Sequence, residues 1–176
     1  MTIQEFLALR LNKEEDIPKI KEYNRALAAK YPWLLDREWE PETDTYYITE
    51  DETYLTTWLD DMPDGWRIAF SEQMCEEIQE ELERTNFVDK YSIVQVKEKY
   101  GGLRWYTGGV PVNSSLDEIA NKYEELSYIT CINCGKPAHW ISKGWISPYC
   151  TECKDKMIAN NKGWIKDSFN KLEVRP

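Results

Sequence analysis

The sequence predicts an α+β protein in which helices pack on a small antiparallel sheet or hairpin and a four-cysteine zinc ribbon closes the C-terminus. Three observations carry that expectation. Apolar residues recur every four positions from Trp66 to Leu82, as one face of a helix requires. Two β-rich runs flank Gly101-Gly102, which reads as a hairpin because glycine supplies the positive φ of a tight turn. Residues 131–153 have the form C-x2-C-x15-C-x2-C, a spacing that folds two knuckles around one tetrahedral metal.

The cysteine pattern is the most specific of the three. Each C-x2-C turn brings two sulfurs together, and Gly135 after the first pair gives the knuckle backbone freedom. The residues between the pairs, Trp140-Ile141, Lys143-Gly144 and Trp145-Ile146, read as a short hairpin joining the knuckles. Cys131, Cys134, Cys150 and Cys153 are therefore the expected ligands of one structural Zn2+ per chain, with an iron centre as the alternative metal. Four thiolates close the coordination sphere, whereas a catalytic zinc keeps a position open for water.

Composition narrows the setting. The 176 residues are 41% hydrophobic and 31% charged, as in ordinary globular chains, with eight Trp and eleven Tyr to fill a small core. No run approaches the ~18–20 apolar residues of a membrane span, and nothing at the N-terminus resembles an export signal. Five cysteines, four of them committed to metal, suit a reducing compartment, so the expected location is the cytoplasm. Residues 1–90 carry 10 Lys+Arg against 23 Asp+Glu, a net of −13; residues 91–176 carry 12 against 9, a net of +3. The acidic front half repels phosphate and attracts basic protein surfaces.

In chain order, Thr2 and Glu5 have capping-box spacing and predict a short helix to about residue 11. Asp16 and Pro18 start a better one, with Ile17, Ile20, Leu27 and Tyr31 on one face until Pro32 stops it. Residues 32–45 read as an irregular acidic segment; residues 45–49 read as a strand, and residues 54–59 as a second candidate strand. The long helix follows. Its Cys75 sits beside the apolar stripe and next to Glu76 and Glu77, so it reads as a buried, inert thiol. The stripe is expected to pack on the hairpin rather than on the ribbon.

The hairpin runs through residues 91–107. A phosphate-cradling glycine loop is the alternative there, but Leu103-Arg104 follows where a Lys-Ser/Thr pair would be needed. Lys97, Lys99 and Arg104, with Trp105 and Tyr106, make it a candidate binding surface. Ser115 and Glu118 form a second capping-box pattern ahead of a helix carrying Leu116, Ile119, Tyr123 and Leu126. The tail after Cys153 is helix-compatible, broken at Gly163, with Ile158, Trp164, Ile165 and Phe169 as anchors. The expected organisation is an acidic N-terminal region (1–58), an α+β core (59–127), and the ribbon with its helical tail (128–176).

The runs L-D-D-M-P-D-G-W-R (59–67) and K-E-K-Y-G-G-L-R-W-Y (97–106), followed by the four-cysteine ribbon, resemble a family of small uncharacterised proteins of bacteria, phages and prophages. The likeness covers roughly residues 55–155. It implies an ancestry and a setting, a bacterial host cell, and no activity.

Three functional classes compete. An enzyme is the least supported, because His139 is the single histidine and no nucleotide or cofactor motif is present. A nucleic-acid-binding ribbon would draw on Lys136, Lys143, Lys154 and Lys156 with Trp140, Trp145 and Tyr149 for stacking; those lysines also neutralise a tetrathiolate site. The favoured expectation is a non-enzymatic protein-binding accessory factor with no membrane and no small-molecule substrate. In a phage-like setting, a regulator or inhibitor of a host system such as a defence system fits.

Overall fold

A computed structural model describes residues 1–9, 13–48, 56–161, 163 and 165–173. The fold is α+β, with α1 (Ile3–Leu7), α2 (Ile17–Lys30), β1 (Arg37–Glu40), β2 (Thr45–Ile48), α3 (Asp64–Arg84), β3 (Ile93–Lys99), β4 (Gly102–Thr107), α4 (Leu116–Tyr128), β5 (Trp140–Ser142), β6 (Pro148–Tyr149), α5 (Thr151–Asn160) and β7 (Phe169–Lys171). The strands form three small antiparallel sheets: β1-β2, β3-β4 and β6-β5-β7. Among the described residues, no helix is long and apolar enough to cross a membrane.

Helix α3 is the axis. The predicted stripe of Trp66, Phe70, Met74, Ile78 and Leu82 is buried, and Cys75 lies beside it. Burial pushes the Cys75 thiol well above its ordinary value, so it is an inert core residue. One cluster joins this stripe to Tyr91, Ile93, Val96 and Leu103 of the hairpin, Leu116 and Tyr123 of α4, and Trp33 and Leu34 from the N-terminal segment. Trp33 meets Tyr91 and Trp105 edge-on, with ring centroids 5.6 and 6.4 Å apart, and its Nε1 donates to Gln79 at 2.8 Å. A smaller cluster of Cys131, Tyr149, Cys150 and Phe169 fills the ribbon, and Ile132 packs against both.

Helices α1 and α2 are held to α3 by a buried guanidinium. Arg67, 1% exposed, donates to Asp60 at 2.6 Å and lies 4.5 Å from the Phe6 ring centroid; Phe6 stacks on Tyr23 of α2 at 4.3 Å. The predicted capping box at Thr2 forms, with both bonds to Glu5 present, but the helix ends at Leu7.

Several expectations require correction. Within 32–45, expected to be irregular, Pro32–Leu34 forms a 3-10 turn and Arg37–Glu40 a strand paired with β2. The charged strand is secured from outside: Arg37 donates to the Val88 and Tyr91 carbonyls at 3.3 and 3.1 Å, and Asp44 pairs with Lys90. Trp58 and Leu59 are not strand but part of a 3-10 turn, Trp58–Asp61. Asp60 accepts the Thr57 N–H at 2.6 Å, and this cap overrides the β-propensity of the run. Tyr54 and Leu55 lie outside the described residues. Ser115 heads α4, but its side chain makes no cap bond; its backbone N–H donates instead to Glu81, on α3, at 2.6 Å. After Gly163 the tail does not stay helical, because Phe169–Lys171 adds a third strand beside β5. Lys162 and Trp164 are not among the described residues.

Glu81 ties α3 to α4 through charge. Its hydrogen bonds from Arg84 and from the Ser115 N–H hold the carboxyl down to about 2. A carboxylate held below its unfolded value of about 4.3 adds stability above that value and loses it as pH falls toward 2. Glu81→Gln should therefore flatten the fall of the urea midpoint between about pH 5 and pH 2, and an acid dependence equal to that of the parent would contradict this assignment.

Candidate functional site

The four cysteines predicted as ligands converge. Their sulfurs all lie within 4.8 Å of one another, with Cys134 and Cys150 at 3.6 Å. A tetrahedral metal with bonds of about 2.3 Å needs sulfurs about 3.8 Å apart, whereas a disulfide needs about 2.05 Å. The set therefore fits a metal ion held by four thiolates.

Local folding supplies the two knuckles. In the first, the Cys131 N–H donates to the Lys136 carbonyl at 2.7 Å and the Gly135 N–H to the Cys131 carbonyl at 3.0 Å. Gly135 has φ +76°, as its position after C-x2-C suggested. The second knuckle is the start of α5. Cys150 is its N-cap, and its sulfur accepts the Cys153 N–H at 3.4 Å. Burial works to raise the Cys150 thiol, but that N–H and the neighbouring sulfurs outweigh it and bring it below its ordinary value. Burial raises Cys134 and Cys153. The sheet joins the knuckles, but its second arm is Pro148–Tyr149, not Trp145-Ile146 as expected. Ser142 closes the intervening loop by donating to the Trp145 carbonyl at 2.6 Å and accepting the Ser147 N–H at 2.9 Å.

The first knuckle sits directly on α3. The Gly65 N–H, in the first helical turn where no intrahelical acceptor exists, donates to the Ile132 carbonyl at 2.9 Å. The Trp66 indole N–H donates to the Thr130 carbonyl at 3.0 Å. A Cβ on Gly65 would come within 2.2 Å of the Cys131 carbonyl oxygen, and one on Gly135 within 2.7 Å of the Gly65 oxygen. Two glycines facing each other thus let ribbon and helix touch through their backbones. The expected contact of the stripe with the hairpin is present, and the helix N-terminus adds this contact with the ribbon.

Most charges around the metal site are spent internally. Glu152 pairs with Lys136 at 2.7 Å and Lys156 at 2.8 Å, bridging the two knuckles, and these lysines hold its carboxyl down to about 2. Lys154 pairs with Asp155 and lies 3.9 Å from the Trp140 ring centroid. Lys143 donates to the Asp167 carbonyl and forms no ion pair among the described residues.

The hairpin surface divides. Arg104 pairs with Glu124 and donates to the Tyr128 hydroxyl at 3.1 Å, and the Trp105 indole N–H donates to the Tyr91 hydroxyl at 3.0 Å, so both tie the hairpin to its surroundings. Lys97 and Lys99 form no ion pair among the described residues; they lie 5.4 and 5.6 Å from the ring centroids of Tyr106 and Tyr100. The tight turn is Tyr100-Gly101, with φ of 54° and 80°, rather than Gly101-Gly102. Gly102 begins β4, where a Cβ would fall 2.5 Å from the Tyr128 ring.

Sequence reasoning missed one feature. Trp145 is 78% exposed and Tyr100 69%, and they flank a pocket between hairpin tip and ribbon loop. The signal was present in Lys143-Gly144, a turn that places the next residue at a loop tip.

No protein-family model matches the chain, and no curated protein or solved structure matches it.

The contact between knuckle and helix is testable. Gly65→Ala should destabilise the chain by about 3 kcal/mol, the upper end of the cost of overpacking, because the clash is with backbone that cannot rotate away. It should also weaken metal retention in a chelator competition. Retention and denaturation midpoint equal to those of the parent would contradict the close approach.

Proposed function

We propose that this chain is a non-enzymatic zinc-ribbon protein of phage or prophage type that works as a protein-binding accessory factor in a bacterial cytoplasm, as a regulator or inhibitor of a host system such as a defence system. The metal in this reading is one structural Zn2+ held by Cys131, Cys134, Cys150 and Cys153, since an all-thiolate tetrahedral set suits zinc and leaves no position for a substrate. The observation that carries the protein-binding role is the aromatic surface of Trp145 and Tyr100, displayed in solvent although Trp33, Trp66, Phe70, Tyr91 and Tyr123 are buried in the core. Exposed Trp and Tyr are the side chains that dominate binding energy at protein interfaces.

A second reading, nucleic-acid binding, is favoured by Lys97 beside the Tyr106 ring and Lys99 beside the Tyr100 ring. It is weakened by the ribbon lysines. Lys136, Lys154 and Lys156 are paired with carboxylates, which breaks up any basic track for a phosphate backbone.

Tagged full-length protein used as bait in bacterial lysate, with and without nuclease, separates the two. The expected result is one stoichiometric protein partner that survives nuclease, on bait that elemental analysis shows to carry one zinc per chain. Recovery abolished by nuclease would move the assignment to nucleic acid, and iron in the bait would overturn the zinc assignment.

A further inference from the structure

Hairpin tip and ribbon loop meet around a pocket of about 290 Å³ lined by Glu98, Lys99, Tyr100, Gly144, Trp145 and Ile146. We propose that this pocket docks a short acidic peptide segment of a protein partner, seating an aromatic or aliphatic anchor against Trp145 and Tyr100 while flanking carboxylates meet Lys97 and Lys99. The inference rests on the protein-binding reading above and adds to it the place and the chemistry of the contact.

Hydrogen bonds brace the pocket. The Trp145 indole N–H donates to Glu98 Oε2 at 3.1 Å, and the other oxygen of Glu98 accepts the Gly101 N–H at 2.6 Å. One carboxylate thereby fixes both the ring and the hairpin turn. Ser142 locks the loop behind Trp145, and a Cβ on Gly101 would come within 3.3 Å of Ile146, so tip and loop are already in contact. An exposed aromatic face held in place loses little side-chain freedom on binding, which is the condition for an anchoring site. With Tyr100 and Ile146 beside it, the face suits an apolar anchor.

Local charge selects the partner. Glu98, the one acid in the lining, accepts the Trp145 and Gly101 N–H groups and keeps its charge, and the three nearby lysines that form no ion pair among the described residues, Lys97, Lys99 and Lys143, outnumber it. At physiological ionic strength the screening length is about 8 Å, so charges next to the pocket weigh most in what it attracts. Lys97 and Lys99 are two residues apart on β3 and project to the same side, a spacing that alternate acidic residues of an extended segment can match. Single-stranded nucleic acid also stacks on aromatic rings, but it needs a run of cations along its backbone, and the lysine pair Lys97 and Lys99 does not supply one.

Random-peptide display against the zinc-loaded full chain tests this, with (dT)20 as a separate probe. Recovered peptides should combine net negative charge with an aromatic or aliphatic residue. They should bind at least about tenfold more weakly to Trp145→Ala, and more weakly to Lys97→Glu/Lys99→Glu, a salt-sensitive loss expected of rim charges. In the native chain, titration should move the Trp145 indole N–H resonance, which keeps the test valid if a variant misfolds. Basic peptides, or none recovered, would overturn the proposal. Acidic peptides that leave the Trp145 resonance unmoved and bind Trp145→Ala normally would overturn the site alone and leave the protein-binding reading standing. Sub-micromolar (dT)20 binding lost in Trp145→Ala would overturn both.

Discussion

The carbonyl oxygen of Cys131 occupies space that a side chain on Gly65 would need, and the N–H of Gly65 is bonded to the next carbonyl along, that of Ile132. A cysteine of the candidate metal site and the first turn of the central helix thus share one backbone contact. The orphan donors of a helix N-terminus usually face water or a capping side chain. Here the cap of Gly65 comes from the knuckle, and Pro63 makes no side-chain cap bond at that end. Because binding a structural metal is also folding free energy, an ion held by the four cysteines would pass part of that energy to α3 and through Trp66 into the main core.

The runs L-D-D-M-P-D-G-W-R (59–67) and K-E-K-Y-G-G-L-R-W-Y (97–106) acquire structural jobs on this view. In the first, Leu59 and Met62 enter the core, the Pro63 carbonyl accepts the Trp66 and Arg67 N–H groups, and Asp60 pairs with the buried Arg67. Gly65 and Trp66 hold the knuckle. In the second, Gly102 makes room for Tyr128, Leu103 enters the core, and its N–H donates to Ser127 Oγ at 2.8 Å. Arg104 and Trp105 brace the hairpin. Side chains left largely exposed are therefore the better functional candidates, and Trp145, Tyr100 and Lys99 are among them.

Legibility followed the range of the interactions. The α3 stripe, the Thr2 cap, the hairpin and the four ligands are written in short spacings, and each could be read from residues within one turn or one knuckle. Features fixed by distant partners could not. Strand β1 depends on Arg37 reaching the Val88 and Tyr91 carbonyls, and β7 depends on pairing with β5. The start of α4 follows a capping pattern, yet its bond comes from Glu81, 34 residues earlier. Arg104 looked like a surface cation until α4 placed Glu124 and Tyr128 against it. Trp145 was mistaken for a strand residue because its loop is shaped by Ser142 rather than by its own propensity.

Hydrogen exchange at single-residue resolution, on the full chain with metal and after chelation, tests the shared contact most directly. The account predicts that chelation exposes the Gly65 amide and the Trp66 indole N–H together with the knuckle amides, while amides from Met74 to Leu82 keep most of their protection. Gly65 and Trp66 unchanged by chelation would show that helix and ribbon are energetically separate, and would contradict it.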